Sequence, residues 1–380
     1  MRRRGCGTPY PANPRPTGSR DAPGPLGARV RRLPGVSAPS LQSERLRLDD
    51  PLWLALLHSS QTVTPSHLPI WTKIVAESYG FPAFALVLTR GGEPVAGLPL
   101  VDVTTRLRGR RYAALPFTDQ CGPLAPPDLM PDLVRALSAL RKEELLRRIE
   151  VRDFMPAAEP DVTSYVRGVR HHIDLAPTVD QAFAALSSHH RRAVRTAQRA
   201  RVRVEIGGSP ELFAAFTALH AVTRKRLGVP MQPARFLSAL GRAIADHDLG
   251  FVAVARHEDR AVAAGVFLET NGVVLYKFGA SDARAWNLRP NNLLVWEAIR
   301  HGIEHGASVF DFGRSDVGQD GLSSFKRNFG ATESPLVYTS IGTPPKERPL
   351  HPGRASRLII QRSPTIVARA AGRALYRYVA

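Results

Sequence analysis

Residues 84–100, FALVLTRGGEPVAGLPL, lie over residues 251–267, FVAVARHEDRAVAAGVF, without a gap. Phe84 meets Phe251, Val87 meets Val254, and Val95-Ala96 meets Val262-Ala263. Each stretch predicts a β-hairpin, two apolar β-rich runs around a short turn such as Arg90-Gly91-Gly92-Glu93. Hairpins of equal length look alike by chance about as often as by descent. The order of helix then strands around each copy recurs as well, and that favours a duplicated unit.

Working outward, the first ordered elements are expected at Asp50-Pro51, with a helix through Leu52 to Leu57 and another from Pro69 to Tyr79. A strand at 111–118 enters the loop LPFTDQCGPL, and a helix follows from Pro131 to Arg148. The second half opens with a strand from Tyr165 to Leu175. Asp180 then caps a helix that runs into SSHHRRAVRTAQRARVRVEIGG. Helices at 210–227 and 233–246 precede three strands, the last two joined by Asn271-Gly272, a strong hairpin signal because both positions need positive φ.

The chain has 380 residues, 43% hydrophobic and 22% charged, enough for one large domain or two ordinary ones. Its formal charge is +19, but residues 1–40 hold eight Arg against one Asp and residues 344–380 hold eight Lys/Arg against one Glu. The part between is only mildly basic, which argues against a DNA-binding face. Eight Pro and six Gly in residues 1–40, without apolar periodicity, predict a disordered tail. MRRRGCGTPYPANP has a basic start but no apolar run behind it, so no secretory signal is expected. Cys6 and Cys121 make neither a disulfide framework nor a zinc spacing. The His pairs 171–172 and 189–190 lack the spacing of a metal site, and no metal is assigned.

Three stretches could carry chemistry. In VVLYKFGASDARAWNLRPNNLLVWEAIRHGIEHG (273–306) a helix begins at Pro290, and its start, with Arg284 and Arg289 nearby, suits an anion. An ordinary strand-to-helix connection reads the same way. In FDFGRSDVGQDGLSSFKRNFGA (310–331), Phe310 and Phe312 face one side of a strand and Asp311 the other. Asp311 either pairs with Arg314 or lines a cleft where it holds or deprotonates an amine. In HHRRAVRTAQRAR (189–201), Arg191, Arg195 and Arg199 share one helical face, either solvated or an anion-binding wall.

Taken together, RRAVRTAQRARVRV, FGASDARAWNLRPNNLLVWEAIRHG, FDFGRSDVGQDGLSSFKRNFGA and, in the first half, LPFTDQCGPL resemble the Fem-like branch of the GNAT acyltransferase superfamily. The resemblance covers about residues 50–340 with its motifs in order. It implies an α/β (α+β) fold of tandem GNAT-like domains, each a mixed central sheet flanked by helices. The divisions would be a basic tail at 1–45, an N-terminal domain at 46–165, a C-terminal acyltransferase domain at 166–343, and a basic tail with an amphipathic helix at 344–380. By position, Asp311, Lys326 and Asp119 are the catalytic candidates. Arg284, Arg289, Asn291 and Asn292 would hold the donor. Arg191, Arg195, Tyr276, Trp296, Glu297, Arg314 and Phe329 would meet the substrate.

The implied activity is N-acyl transfer from acyl-CoA to an amine of an envelope sugar or peptidoglycan precursor, in the cytoplasm. Lys326 would stabilise the oxyanion, and Asp119 or Asp311 would orient the amine or take its proton. One departure counts against acyl-CoA: R-A-W-N-L-R-P (284–290) lacks the two glycines that such enzymes carry before the pyrophosphate-binding helix. Aminoacyl-tRNA, the donor of bridge-forming relatives, is the alternative, and tRNA is a partner only in that case. The C-terminal SPTIVARAAGRALYRYVA places Arg369, Arg373 and Arg377 on one helical face. That face would touch an anionic membrane at its inner side or simply face water. A non-catalytic GNAT-fold binding protein that uses its basic tails is the rival class.

Overall fold

The computed structural model describes residues 40–105, 109–316, 318–345 and 354–362. The two expected tail features, the segment 1–39 and the Arg369–Arg377 helix face, lie outside those residues.

The first half runs β1 (Leu41–Leu46), α1 (Pro51–Ser59), α2 (Pro69–Tyr79), β2 (Ala83–Arg90), β3 (Glu93–Asp102), β4 (Arg111–Ala113), α3 (Met130–Glu143), β5 (Arg148–Val151) and β6 (Val162–Asp174). The second runs α4 (Val179–Ala185), α5 (Ser188–Arg199), β7 (Arg203–Gly207), α6 (Pro210–Leu227), α7 (Ala234–His247), β8 (Gly250–His257), β9 (Arg260–Thr270), β10 (Val273–Ser281), α8 (Pro290–Glu304), β11 (Val309–Ser315), α9 (Asp320–Arg327) and β12 (Thr332–Gly342). A further helix, α10 (Arg354–Arg362), follows.

All twelve strands join one mixed sheet, in the order β1-β2-β3-β4-β5-β12-β6-β11-β10-β9-β8-β7. The order is palindromic. β1 to β4 pair antiparallel and β4 pairs parallel with β5, while β7 to β10 pair antiparallel and β10 pairs parallel with β11. The sixth strands close the sheet by exchange: β6 pairs with β11 of the second half, β12 with β5 of the first, and the two pair with each other.

The hairpin repeat holds in detail. Both β2–β3 and β8–β9 turn on two residues of positive φ, Gly91-Gly92 and Glu258-Asp259. The register slips between Leu88 and Thr89 in one hairpin and between Ala255 and Arg256 in the other, the same aligned position. Faces match too. Phe84, Leu86 and Leu88 pack in the cluster with α3, as Phe251, Ala253 and Ala255 pack in the cluster with α8. On the other side of the sheet α2, α6 and α7 share one core, with Trp71, Phe216 and Phe236 among its fully buried rings. That core binds the two halves together.

Several expectations change. β1 was not foreseen, because LQSERL has apolar residues only at its two ends, around a polar and charged run, and so lacks the period-2 pattern of a half-buried strand. The expected strand at 111–118 stops at Ala113, since Leu115 and Phe117 take φ of 58° and 61° and turn the chain off the sheet. The helix from Asp180 is two helices. Thr178, not Asp180, caps the first, and Ser187 Oγ accepts from the His190 N–H at 3.2 Å to start the second.

Candidate active site

Three adjacent strands carry a β-bulge at their centre, and each re-aims a side chain. On β10 the register skips Lys277 between Tyr276 and Phe278. Tyr276 therefore packs with α8's core and Phe278 with α6's, while Lys277 reaches the first half. On β11 it skips Phe312 between Asp311 and Gly313, and on β6 it skips Arg167 between Val166 and Gly168. Phe310 and Phe312 remain on the α8 side, buried, and Asp311 faces the other way, as the alternation predicts.

Opposite the bulges lies the loop after β4, held through its carbonyls and the Thr118 hydroxyl. Lys277 Nζ donates to Phe117 O at 3.0 Å, and Trp71 Nε1 donates to Thr118 Oγ1 at 3.1 Å. Arg152 donates to Thr118 O, and Tyr338 Oη donates to Asp119 O at 2.6 Å. Asp119 Oδ2 then accepts from the Arg314 backbone N–H at 3.2 Å, across the boundary between halves. Burial alone would raise the Asp119 pKa, but Lys277, Arg314, the Arg314 N–H and Lys326 outweigh it and hold the carboxyl below its ordinary value.

Asp311 Oδ1 accepts from the Gly313 N–H at 2.7 Å, and its other oxygen takes Arg170 Nε and Nη2, both at 2.8 Å. Its expected partner, Arg314, pairs instead with Asp316 at 3.1 Å. The bulge and the left-handed Gly313, φ 64°, separate Arg314 from Asp311, and Arg170, the register partner of Arg314 on β6, reaches Asp311 instead. Lys326, 4% exposed, sends Nζ to Gly313 O at 3.1 Å and Arg314 O at 3.0 Å. Desolvation dominates and lowers its pKa to about 8, against the pull of Asp119 and Asp311. Two of its three protons are used, which leaves one. Thr64–Ser66, Thr118–Gln120, Arg170, Asp311 and Arg314 line a common cleft.

So Asp119, Asp311, Arg314 and Lys326 come together. The remaining sequence candidates fall elsewhere. Trp296 and Phe329 are core residues, packed on Phe183 at 4.8 Å and Phe312 at 5.7 Å between ring centroids. Tyr276 stacks on Phe267, and burial raises its pKa. Glu297 pairs with Arg300 at 2.8 Å. Arg191 donates to the carbonyls of Ala184 and Leu186, tying α5 to α4, and the exposed Arg195 lies over the Phe183 ring.

At the start of α8, Arg284 pairs with Asp282 at 2.8 Å. Arg289, φ 57°, places its carbonyl to accept from the Asn292 N–H at 3.1 Å, and Asn292 is buried beside the half-buried Asn291. The glycine-free segment Ala283–Leu288 forms a 3₁₀ turn rather than an open backbone cradle. Sequence reading missed Lys277, Arg170, Arg152 and Tyr338. Lys277 had a signal, a lone charge inside the apolar run VVLYKFGA.

A family model described as an acetyltransferase (GNAT) domain matches residues 184–327. Over those residues the chain carries a GNAT acyltransferase domain. The match spans α5 to α9 and so includes Lys277, Asp311 and Lys326. The crystal structure of FemX has the same fold, at a TM-score of 0.65 and 13% identity over 78% of this chain and 96% of that one. L-PGS from Bacillus licheniformis gives 0.50 at 15% identity, over 83% and 97%. The C-terminal domain of a candidate lysylphosphatidylglycerol synthetase from Agrobacterium fabrum gives 0.50 at 12%, over 81% and 92%. No curated protein sequence matches this chain at a significant level. No helix among its described residues is long and apolar enough to cross a membrane.

Proposed function

We propose that the cleft between the loop at 117–120 and β11 transfers an acyl group to the amine of an envelope amino sugar or peptidoglycan precursor. The two GNAT-like halves would be residues 46–165 and 166–343, save that this boundary falls inside β6 (Val162–Asp174), which the fold keeps whole with the first half. The observation that carries the reading is the joint site: Asp119 from the first half bonds the backbone beside Lys326's acceptors in the second.

The amine nitrogen attacks the acyl carbonyl, the C–N bond forms and the donor's C–S or C–O bond breaks. Charge gathers on the carbonyl oxygen, and the third Lys326 proton is the nearby donor for it. Asp119, kept ionised by its cationic neighbours, holds the amine and receives its proton as the bond forms. Asp311, fixed by Arg170 and the Gly313 N–H, keeps the bulge in shape.

Acyl-CoA is the donor a GNAT domain implies. The closed 3₁₀ turn before α8 favours a second reading, aminoacyl-tRNA, because it offers no row of free N–H groups to a pyrophosphate. Incubation with acetyl-CoA and a panel of amino sugars, followed by mass spectrometry, tests the first. Acyl product lost in Lys326→Met supports it. No product and no CoA binding, with transfer from aminoacyl-tRNA, would replace it by the second.

A further inference from the structure

We infer that the C-terminal end of α6, the turn at Trp286 and α10 form a docking face for an anionic lipid surface, independent of the chemistry at the cleft. Eight large hydrophobic side chains are exposed among the described residues, and four of them gather here: Val222 and Leu227 on α6, Trp286 before α8, and Leu358 on α10. Arg226 ties them together. Its guanidinium lies 4.7 Å from the centre of the Trp286 ring, and its carbonyl accepts from Gln361 Nε2 at 2.9 Å. It lines one groove with Val222 and Gln361. Gly228, next to Leu227, meets α10 so closely that a Cβ there would come 2.8 Å from Arg357 O.

Around these apolar groups the charge has one sign. α6 ends on Arg224-Lys225-Arg226, and its one acid, Glu211, sits in its first turn. α10, RASRLIIQR, has no acid, and its Arg357 and Arg362 are exposed. Asp282, beside the Trp286 turn, is taken by Arg260 and Arg284. That charge selects the occupant. A second copy of this face would bring like charge, and so would residues 363–380, which hold three Arg and no acid. An RNA would answer the cations but offer nothing to Val222, Leu227 and Leu358. An anionic bilayer answers both: the cations meet its headgroups, while the aliphatic side chains and the indole enter the boundary beneath them.

The face is also tied to the cleft. Trp286 Nε1 donates to Ser281 Oγ at 3.0 Å. Thr223 Oγ1 on α6 accepts from the Ser281 N–H at 2.9 Å and donates to Ser281 O at 3.2 Å. Ser281 ends β10, roughly 13 Å of strand beyond Lys277, and Lys277 grips the cleft loop at Phe117 O.

Trp286 supplies its own probe. Trp53, Trp71 and Trp296 are buried, so a change in tryptophan emission on binding reports Trp286. The full chain is mixed with vesicles of phosphatidylglycerol and phosphatidylcholine in equal parts, or of phosphatidylcholine alone, and sedimented. Wild type should bind the first at least tenfold more tightly than the second, with a blue shift in emission. Arg226→Glu with Arg357→Glu should bind the anionic vesicles at least tenfold more weakly. Trp286→Phe should still bind but show no blue shift. Arg192→Glu with Arg199→Glu, the same charge change on exposed positions of α5, should stay within about twofold of wild type. Circular dichroism checks that each variant folds. Four outcomes would each overturn the face: no vesicle binding by wild type, equal binding by the Arg226 and Arg357 variant, an equal loss in the α5 variant, or a blue shift that survives Trp286→Phe. Retention of a single-stranded RNA in place of the vesicles would overturn it too, in favour of a nucleic-acid surface. None of these outcomes depends on turnover.

Discussion

A Cβ placed on Gly313 would lie 2.7 Å from Oδ2 of Asp119, closer than any relaxed contact. The glycine is required twice. Its φ of 64° is costly for other residues, and its bare Cα lets the first half's carboxylate reach the Arg314 N–H. Gly313→Ala should cost about 1–2 kcal/mol of stability from backbone strain. It should also push Asp119 off its hydrogen bond and cut turnover at least tenfold. Denaturant unfolding and a steady-state assay on the same preparation check both. Full activity in a folded Gly313→Ala would show that Asp119 need not sit where it does.

Lys326 sets a pH limit on that same site. Its folded pKa of about 8 means the ammonium is present below that pH and is lost above it. As the oxyanion's cation, it predicts a kcat that falls as pH rises through about 8. A lysine acting as a base would give the opposite limb, rising through the same pH. Lys326→Met should lower kcat by about 10²–10³-fold, the cost of losing one such donor. It also strips the Gly313 and Arg314 carbonyls of their partner, so some loss of stability accompanies it.

The two carboxylates can be separated by amide substitution. Asp119→Asn keeps an acceptor for the Arg314 N–H but removes the charge that faces Lys277 and Lys326. It should lower kcat by about 10²–10⁴-fold if the carboxylate takes the proton. Asp311→Asn leaves Arg170 without its counter-charge and should act more on stability than on kcat. The comparison of kcat with midpoint denaturant for the two variants reads the roles. A larger kcat loss in Asp311→Asn would exchange them.

How far the sequence reaches is clear from particular residues. The hairpins were legible because Gly91-Gly92 and Asn271-Gly272 mark turns that local chemistry requires. Asp119, Asp311 and Lys326 were named from motifs, but nothing local could place residue 119 beside residue 314. That contact depends on β6 and β12 changing partners between halves, a non-local choice with no signature in either strand. The bulges were illegible for a related reason. A period-2 reading puts Tyr276 and Phe278 on one face, and only the packed structure shows Lys277 slipping between them. Trp296 and Phe329 looked functional because motif position does not distinguish a side chain that lines a site from one that supports it from below.

Two buried histidines away from the site should govern acid stability. His190 lies 2% exposed, between Phe325 and Phe329, and neither ring nitrogen makes a hydrogen bond. His220, also 2% exposed, is bonded to Gln232 at 2.8 Å and stacked on Phe216. Desolvation lowers both pKa values to about 4. In the unfolded chain each titrates near 6.5. The unfolded state therefore holds more protons between those values, and stability falls as pH drops from about 6.5 toward 4. Each imidazole contributes up to roughly 3 kcal/mol to that loss. His190→Phe replaces the ring by one that cannot titrate among aromatic neighbours. It should leave stability at pH 8 within about 1.5 kcal/mol of wild type and flatten the decline between pH 6.5 and 4. Urea unfolding at four or five pH values measures both slopes, and parallel slopes for the two proteins would show that His190 is not a neutral, buried group.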